Sequence, residues 1–392
     1  MIKSIPRTIW AMGIASFLIN CATCSIFSLS ALYLTNILGA SVASIGLLES
    51  VVEGLAYFTR TFSGVLSDFF KRRKTFILIG FVFLTISKPI LAFSRTYIQV
   101  FLARAIDRLG NGLQAAPRDA LISDNAPKDI KGECYGLRQS LALIGSTIGA
   151  IMGIALMHIT NNSYKTVFLV MGIPAVIATL VVIFFIKERR INKEPTGATV
   201  NRLKVSDIKS LGSKFWILMT VVVFFMLGKF GESFICLHAC NNFGLNPAYG
   251  TSFPLLYSLV SASVAYPIGH KSDLMDRKKL LLLGLILFCL SHLSIGLAPN
   301  LTAIFIGTIL WGAHEGITDI IFAGLISDYV PKHLRGTGFG LYSLISSCSM
   351  VIANNIAGLV SDCFGIHTAF IYGSIVGFIS ISVLLYTMKY LK

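Results

Sequence analysis

The chain states the same motif twice. Gly64-Val65-Leu66-Ser67-Asp68, followed by Arg72-Arg73-Lys74, returns as Gly269-His270-Lys271-Ser272-Asp273, followed by Arg277-Lys278-Lys279. A second block, Leu121-Ile122-Ser123-Asp124 with Pro127-Lys128, Gly132 and Gly136-Leu137, returns as Leu325-Ile326-Ser327-Asp328 with Pro331-Lys332, Gly336 and Gly340-Leu341. Both recurrences lie about 204 residues apart and agree to within one residue, the mark of a tandem duplication. Each block sits at the end of long apolar runs, so the repeated element is a charged hinge between helices.

The solvent for those helices is lipid. The chain is 55% hydrophobic and only 13% charged, with a mean hydropathy of +0.76, which leaves too little polar surface to cover a soluble domain. Apolar stretches long enough to cross a bilayer recur along its length. The spacing predicts an all-α membrane protein with twelve transmembrane helices: 8–36, 42–68, 75–94, 97–124, 132–159, 166–186, 215–238, 249–273, 280–298, 301–328, 336–361 and 366–388. They form two pseudo-symmetric six-helix bundles, 1–186 and 215–392, joined by a basic linker over 187–214. The first apolar run is too long for a cleavable leader and is expected to remain as a helix.

A formal net charge of +15 raises the question of nucleic acid. The distribution answers it. Of the 33 Lys and Arg, only Arg95 and Lys165 fall in connections on one side, whereas Lys71 to Lys74, the 187–214 linker, the 271–279 hinge and both termini carry the basic residues of the other. The excess is a topology signal that places both termini in the cytoplasm, with no nucleic-acid partner. Cys21 and Cys24 lie inside an apolar helix, where small residues serve packing, and no metal site is expected from them or from Cys236, His238 and Cys240.

On Gly64-x-x-x-Asp68-x-x-x-Arg72-Arg73 and Gly269-x-x-x-Asp273-x-x-Asp276-Arg277-Lys278 the chain resembles the major facilitator superfamily, whose loop signatures these match across the whole length. Arg108-x-x-Asn111-Gly112 is similar to the helix 4 motif of proton-coupled members, with Asn for Gln. Pro117-Arg118-Asp119 and Gly136-Leu137-Arg138 extend the likeness to a broad group of bacterial transporters. The resemblance implies alternating access, with Gly64, Asp68, Arg72, Arg73, Gly269, Asp273, Arg277 and Lys278 as hinge residues and Asp68 as a latch in one state. Arg118 and Asp119, near the same side, are expected to gate. By the superfamily plan, helices 1, 4, 7 and 10 line the cavity.

Charges at bilayer depth cost about 2.5–3.5 kcal/mol each on insertion scales, so each needs a partner or water. The fourth span carries Arg104, Asp107, Arg108 and Asn111; the tenth carries His314, Glu315 and Asp319; the seventh carries Lys229 and Glu232; the second carries Glu49 and Glu53. Glu315 and Asp319 share a face at i, i+4. A carboxylate in such a place can carry a proton when its access switches sides. Arg108 is expected to meet an anionic group, and the alternative for the acids of the tenth span is a salt bridge to Arg108 or Lys229. Lys229 is spaced to pair with Glu232, and Lys88 and Arg138 are expected to pair with Glu49 and Glu53.

The expectation is a monomeric, multi-pass transporter of the bacterial inner membrane. It would move an anionic or zwitterionic metabolite by proton coupling, with no cofactor, since no nucleotide-binding motif is present to use ATP. Efflux of drugs or metabolites by proton antiport, siderophore-like uptake and a flux-free membrane sensor are the alternatives. Gly145, Gly149 and Gly153 give the fifth span a glycine stripe without the Gly-Pro pair of drug antiporters, which weakens efflux. No paired Asp-Asp, His-Glu-x-x-His or Gly-x-Ser-x-Gly signature suggests an enzyme.

Overall fold

The computed structural model describes residues 5–39, 42–186, 211–231, 233–245 and 252–389. Among the described residues there are thirteen α-helices and no strand: α1 (Arg7–Asn36), α2 (Val42–Phe70), α3 (Arg73–Ala92), α4 (Tyr97–Asn125), α5 (Lys131–Ile159), α6 (Tyr164–Phe185), α7 (Ser213–Gly228), α8 (Ser233–Phe243), α9 (Ser252–Leu274), α10 (Arg277–Gly296), α11 (Leu301–Tyr329), α12 (Arg335–Phe364) and α13 (Ile366–Thr387). Seven membrane-length stretches, containing α3, α5, α6, α10, α11, α12 and α13, are apolar enough to cross a bilayer by length and composition. α4 is long enough, but Arg104, Asp107, Arg108, Arg118 and Asp119 lower its hydropathy.

Local chemistry sets the ends. Thr96 and Gln99 form a reciprocal capping box at the start of α4. Asn300 accepts from the Ala303 amide at the start of α11, and Asp276 from the Lys278 amide at the start of α10. Gly365, at φ +92°, makes the sharp turn from α12 to α13, a conformation closed to most other residues.

The seventh span departs from expectation. The sequence predicts one helix over 215–238, but the chain leaves the helix at Gly228 and re-enters it at Ser233. The Lys229 amide turns back to the Met226 carbonyl, and the Gly231 amide donates to Asn354 Oδ1 at 2.9 Å instead of to a helical carbonyl. Two glycines flanking the break and a side-chain acceptor to satisfy the freed amide make the interruption tolerable at membrane depth.

Two compact units emerge from the chain. The first takes in α1 to α4, α6 and most of α5, with residues Pro331–Ser343 from the start of α12. The second takes in α7 to α11, α13 and the rest of α12, with residues Asp129–Ser140 from the start of α5. The first is built on Ile26, Val52, Leu91, Val100, Phe168 and Met171, the second on Phe230, Ile235, Phe253, Ile304, Trp311 and Phe370.

Glycines let helices cross closely, and they do so in matching places. A Cβ on Gly112 of α4 would stand 2.5 Å from the Ala56 carbonyl of α2; one on Gly316 of α11 would stand 2.7 Å from the Ser261 carbonyl of α9. The duplicated sequence therefore folds into a duplicated crossing.

Candidate functional site

Asp68 ends α2 with its side chain 2% exposed. It accepts from the Thr337 amide at 2.6 Å and the Thr337 hydroxyl at 3.0 Å, both at the start of α12. Arg73, at the start of α3, donates to Asp68 at 3.1 Å and pairs with Asp124 at the end of α4 at 3.1 Å. Its other donation reaches the Lys332 carbonyl. Arg335 closes the ring, reaching the Ser123 carbonyl at 3.0 Å and Asp124 at 2.8 Å. The Asp68 carboxylate thus caps the free amides of a helix start, where a helix dipole favours negative charge. Gly336 makes the approach possible, since a Cβ there would lie 2.5 Å from the Gly64 carbonyl.

The second unit contains the same device. Asp273, ending α9, accepts from the Gly132 amide at 2.8 Å and the Glu133 amide at 2.9 Å, at the start of α5. Arg277 pairs with Asp273 at 2.7 Å and also with Asp328 at the end of α11. Lys131 occupies the place of Arg335, reaching Ser327 Oγ and Asp328 at 3.0 Å each. A Cβ on Gly132 would lie 2.5 Å from the Gly269 carbonyl.

Of the predicted hinge residues, Gly64, Asp68, Arg73, Gly269, Asp273 and Arg277 come together in these two latches. Arg72 does not: it is exposed, and the bridging role belongs to Arg73. The motif's own offset of 205 pairs Arg277 with Arg72, whereas the starts of α3 and α10, 204 residues apart, place Arg277 opposite Arg73. Lys278 lies beside Asp276 at 3.6 Å, outside the bridging set. Arg118 and Asp119 form a separate group on α4, with Arg118 Nε 3.0 Å from Asp119 and Arg60 of α2 at 3.5 Å from it. Asp124, Gly132, Asp328 and Gly336 of the second repeated block complete the latches, together with Lys131, Arg335 and Thr337 beside them, which were not singled out from sequence. The signal was available, because the second repeated block contains or flanks all of them.

The intramembrane charges pair differently from their sequence spacing. Lys88 of α3, expected to meet Glu49 or Glu53, is fully buried against Asp107 of α4, which also accepts from Ser87 at 3.1 Å. Asp107 therefore belongs to Lys88 rather than to Arg104, whose guanidinium donates to Ser30 of α1 at 3.1 Å. A short reach across the α3–α4 contact wins over the spacing along one helix. Arg108 stands 3.3 Å from Glu53 of α2, within the first unit. Asn111 accepts from Gln114 one turn away. A small cavity lined by Thr23, Ser87, Lys88, Arg104 and Asp107 lies beside this group. The side chain of Glu49 lies outside the described residues.

In the second unit Lys229, at the break between α7 and α8, holds Glu315 of α11 at 2.6 Å. Its predicted partner Glu232 lies outside the described residues. Among the described residues, Glu315 Oε2 is buried without a hydrogen-bond partner, which leaves one carboxylate oxygen uncommitted. His314 is fully buried among Phe225, Phe288 and Trp311. Asp319 accepts from Gln139 of α5 at 3.3 Å. A salt bridge at a helix interruption, with an acid that has a free oxygen, is a combination able to exchange a proton or a ligand for its internal partner.

Known proteins share this plan. The sequence model of the Major Facilitator Superfamily matches residues 12–259 and 241–390. An uncharacterized MFS-type transporter of Methanocaldococcus jannaschii is 25% identical over 393 residues, covering 98% of this chain and 96% of its own. Among solved structures, the human organic anion transporter MFSD10 (TETRAN) superposes with a TM-score of 0.79 at 15% identity, covering 97% of this chain and 100% of its own. The fucose:proton symporter FucP of E. coli superposes with a TM-score of 0.74 at 14% identity, covering 96% and 98%. With twelve spans in two related halves and the family match running through nearly all of them, the chain belongs to the Major Facilitator Superfamily.

Proposed function

We propose that this chain is a proton-coupled secondary transporter of a small anionic or zwitterionic organic solute, working by alternating access in a bacterial inner membrane with both termini cytoplasmic. The Lys229–Glu315 pair carries the reading. It sits where the seventh span is interrupted, and discontinuous helices are where transporters of this kind build their sites. Protonation of Glu315 removes the charge that holds Lys229, freeing an ammonium to meet a solute carboxylate. Asp319 is the second carboxylate on the same helix and a candidate for the same proton. Arg104 and Arg108 supply the cationic counterpart in the first unit, where a solute anion would compete with Glu53 for Arg108.

The latches supply the switch. Each ties a carboxylate of one sequence half to a helix start of the other, so access from their side requires Asp68 and Asp273 to let go of Thr337 and of Gly132 and Glu133. The solutes named for MFSD10 (an organic anion) and FucP (fucose with protons) are consistent with both the anion and the proton in this reading.

The test uses purified protein in proteoliposomes with a pH-sensitive dye and a pooled library of metabolites and drugs. Substrate-evoked proton movement that disappears in Glu315→Gln or Asp319→Asn is the expected result. A signal surviving both substitutions moves the coupling site to Glu49 or Glu53. Solute flux without proton movement refutes the coupling.

A further inference from the structure

The two latches match at Asp68 and Asp273, Arg73 and Arg277, Asp124 and Asp328, and Arg335 and Lys131, and differ at the residue after the capping glycine. In the first, the residue after the capping glycine is Thr337, and its hydroxyl turns inward to Asp68. In the second, the corresponding residue is Glu133, which lends only its amide to Asp273. Its carboxylate turns the other way, onto α9. There it accepts from the Tyr266 hydroxyl at 2.8 Å and lies 3.3 Å from His270 Nδ1. The matching stretch of α2 holds Thr61, Phe62, Val65 and Leu66, none of which ionises. The contacts of the first latch named above include no histidine; His333 lies exposed in the turn before Arg335, outside them. The second latch adds a histidine, the side chain that changes charge between about pH 5 and 8.

We propose that Glu133, His270 and Tyr266 form a pH-sensitive clasp that makes the second latch, and not the first, respond to the acidity of the compartment it faces. This rests on the alternating-access reading above. With His270 neutral, Glu133 keeps the Tyr266 hydroxyl and loses its ion pair. With His270 protonated, an imidazolium–carboxylate pair is added across the α5–α9 contact, and the start of α5 is held more firmly on Asp273. Acid therefore favours the latched state. The sign follows from the neighbours. Glu133 is the charged group of α5 against the ring, with Lys131 and the buried Cys134 on the same stretch. α9 itself brings Tyr266, Lys271 and Asp273, and the adjoining hinge brings Arg277 with Asp328. Lys131 and Arg277 are committed to Asp328, and Glu133 is the acid set within reach of the ring, at 3.3 Å.

The His270 side chain is 57% exposed, so the pair belongs to the weak, solvent-screened class. The latched-to-open ratio should rise about 1.4- to 5-fold from pH 8 to pH 5.5. Screening also makes this gain shrink as salt is raised.

The experiment places spin labels at Asp129→Cys and Leu274→Cys, on either side of the latch, in a background with the native cysteines replaced, and reads the two distance populations by pulsed electron resonance in lipid nanodiscs. The expected result is a pH-dependent ratio that flattens in His270→Gln and in Glu133→Gln. In His270→Lys the ratio should stay at its acid value at both pH values. The proposal is overturned if His270→Gln keeps the full wild-type response, or if two populations exist and pH does not move them. A single distance under all conditions, with or without solute, would instead remove the alternating-access reading and this clasp with it.

Discussion

Replacing Asp68 by Asn probes the latch with the least change of shape. The carboxylate accepts three hydrogen bonds, from the Thr337 amide, the Thr337 hydroxyl and Arg73. Bonds to an ionised acceptor contribute about 1.5–3 kcal/mol and neutral ones about 0.5–1.5, so each loses about 1 kcal/mol when the charge goes. Arg73 keeps Asp124 at 3.1 Å and is not stranded, and its bond to Asp68 joins α3 to α2, so the two Thr337 bonds are the ones weakened across the docked contact. The docking of α12 on α2 should weaken by about 2 kcal/mol, or about 30-fold in the equilibrium between docked and released states. Spin labels at Lys71→Cys and Lys332→Cys, read by pulsed electron resonance, should show the released population rising accordingly. Asp273→Asn weakens the matching pair of bonds, from Gly132 and Glu133, and should act with similar size on labels across the second latch. A shift below about threefold in folded Asp68→Asn protein, against the roughly 30-fold expected, would show that the carboxylate does not hold the helix start.

Three further outcomes follow from the buried contacts. Lys88→Ala leaves Asp107 buried without its cation and should cost about 3–5 kcal/mol, seen as loss of monodisperse protein on purification, while Lys88→Met with Asp107→Leu should recover most of the yield. Gly112→Ala puts a methyl 2.5 Å from the Ala56 carbonyl and should lower the melting temperature by the equivalent of about 1–3 kcal/mol. Gly54→Ala, with open space at its Cβ, is the matched control and should be neutral or stabilising. Lys229→Met combined with Glu315→Gln should be more heat-stable than Lys229→Met alone, because the single change strands a carboxylate that the double change neutralises.

The hinges were legible in sequence because duplication supplied an internal comparison. Asp68 and Asp273 stood out from the same motif in both halves, and each proved to cap a helix start. Their partners were harder to see. Arg335 and Lys131 look like ordinary topology charges, and only folding brings them to Asp124 and Asp328. Inside the membrane, spacing along one helix was a poor guide. Asp107 lies three residues from Arg104, yet Lys88 on the neighbouring helix reaches it, because close packing of α3 on α4 at Gly80 and Gly110 shortens the path between helices. The break after Gly228 was hidden for a different reason. An apolar run reads as continuous by hydropathy, and what permits the interruption is the distant Asn354 that takes the Gly231 amide.

The two latches also bear on how the chain arose. Asp68 of the first half holds Thr337 of the second, and Asp273 of the second half holds Gly132 and Glu133 of the first. That reciprocity is the pattern of an isologous interface, in which residue i meets residue j and j meets i. A single ancestral half pairing with a second copy of itself would make both contacts at once, and fusion would preserve them. Positions that do not serve the exchange had no such constraint. At the same offset, Lys88 and Asp107 of the first half correspond to His292 and Trp311 of the second, where a stacked ring pair 4.7 Å apart replaces the buried ion pair. The charged helix starts stayed fixed because each was bound to its counterpart, while the interior of each bundle was free to become a different chemical environment.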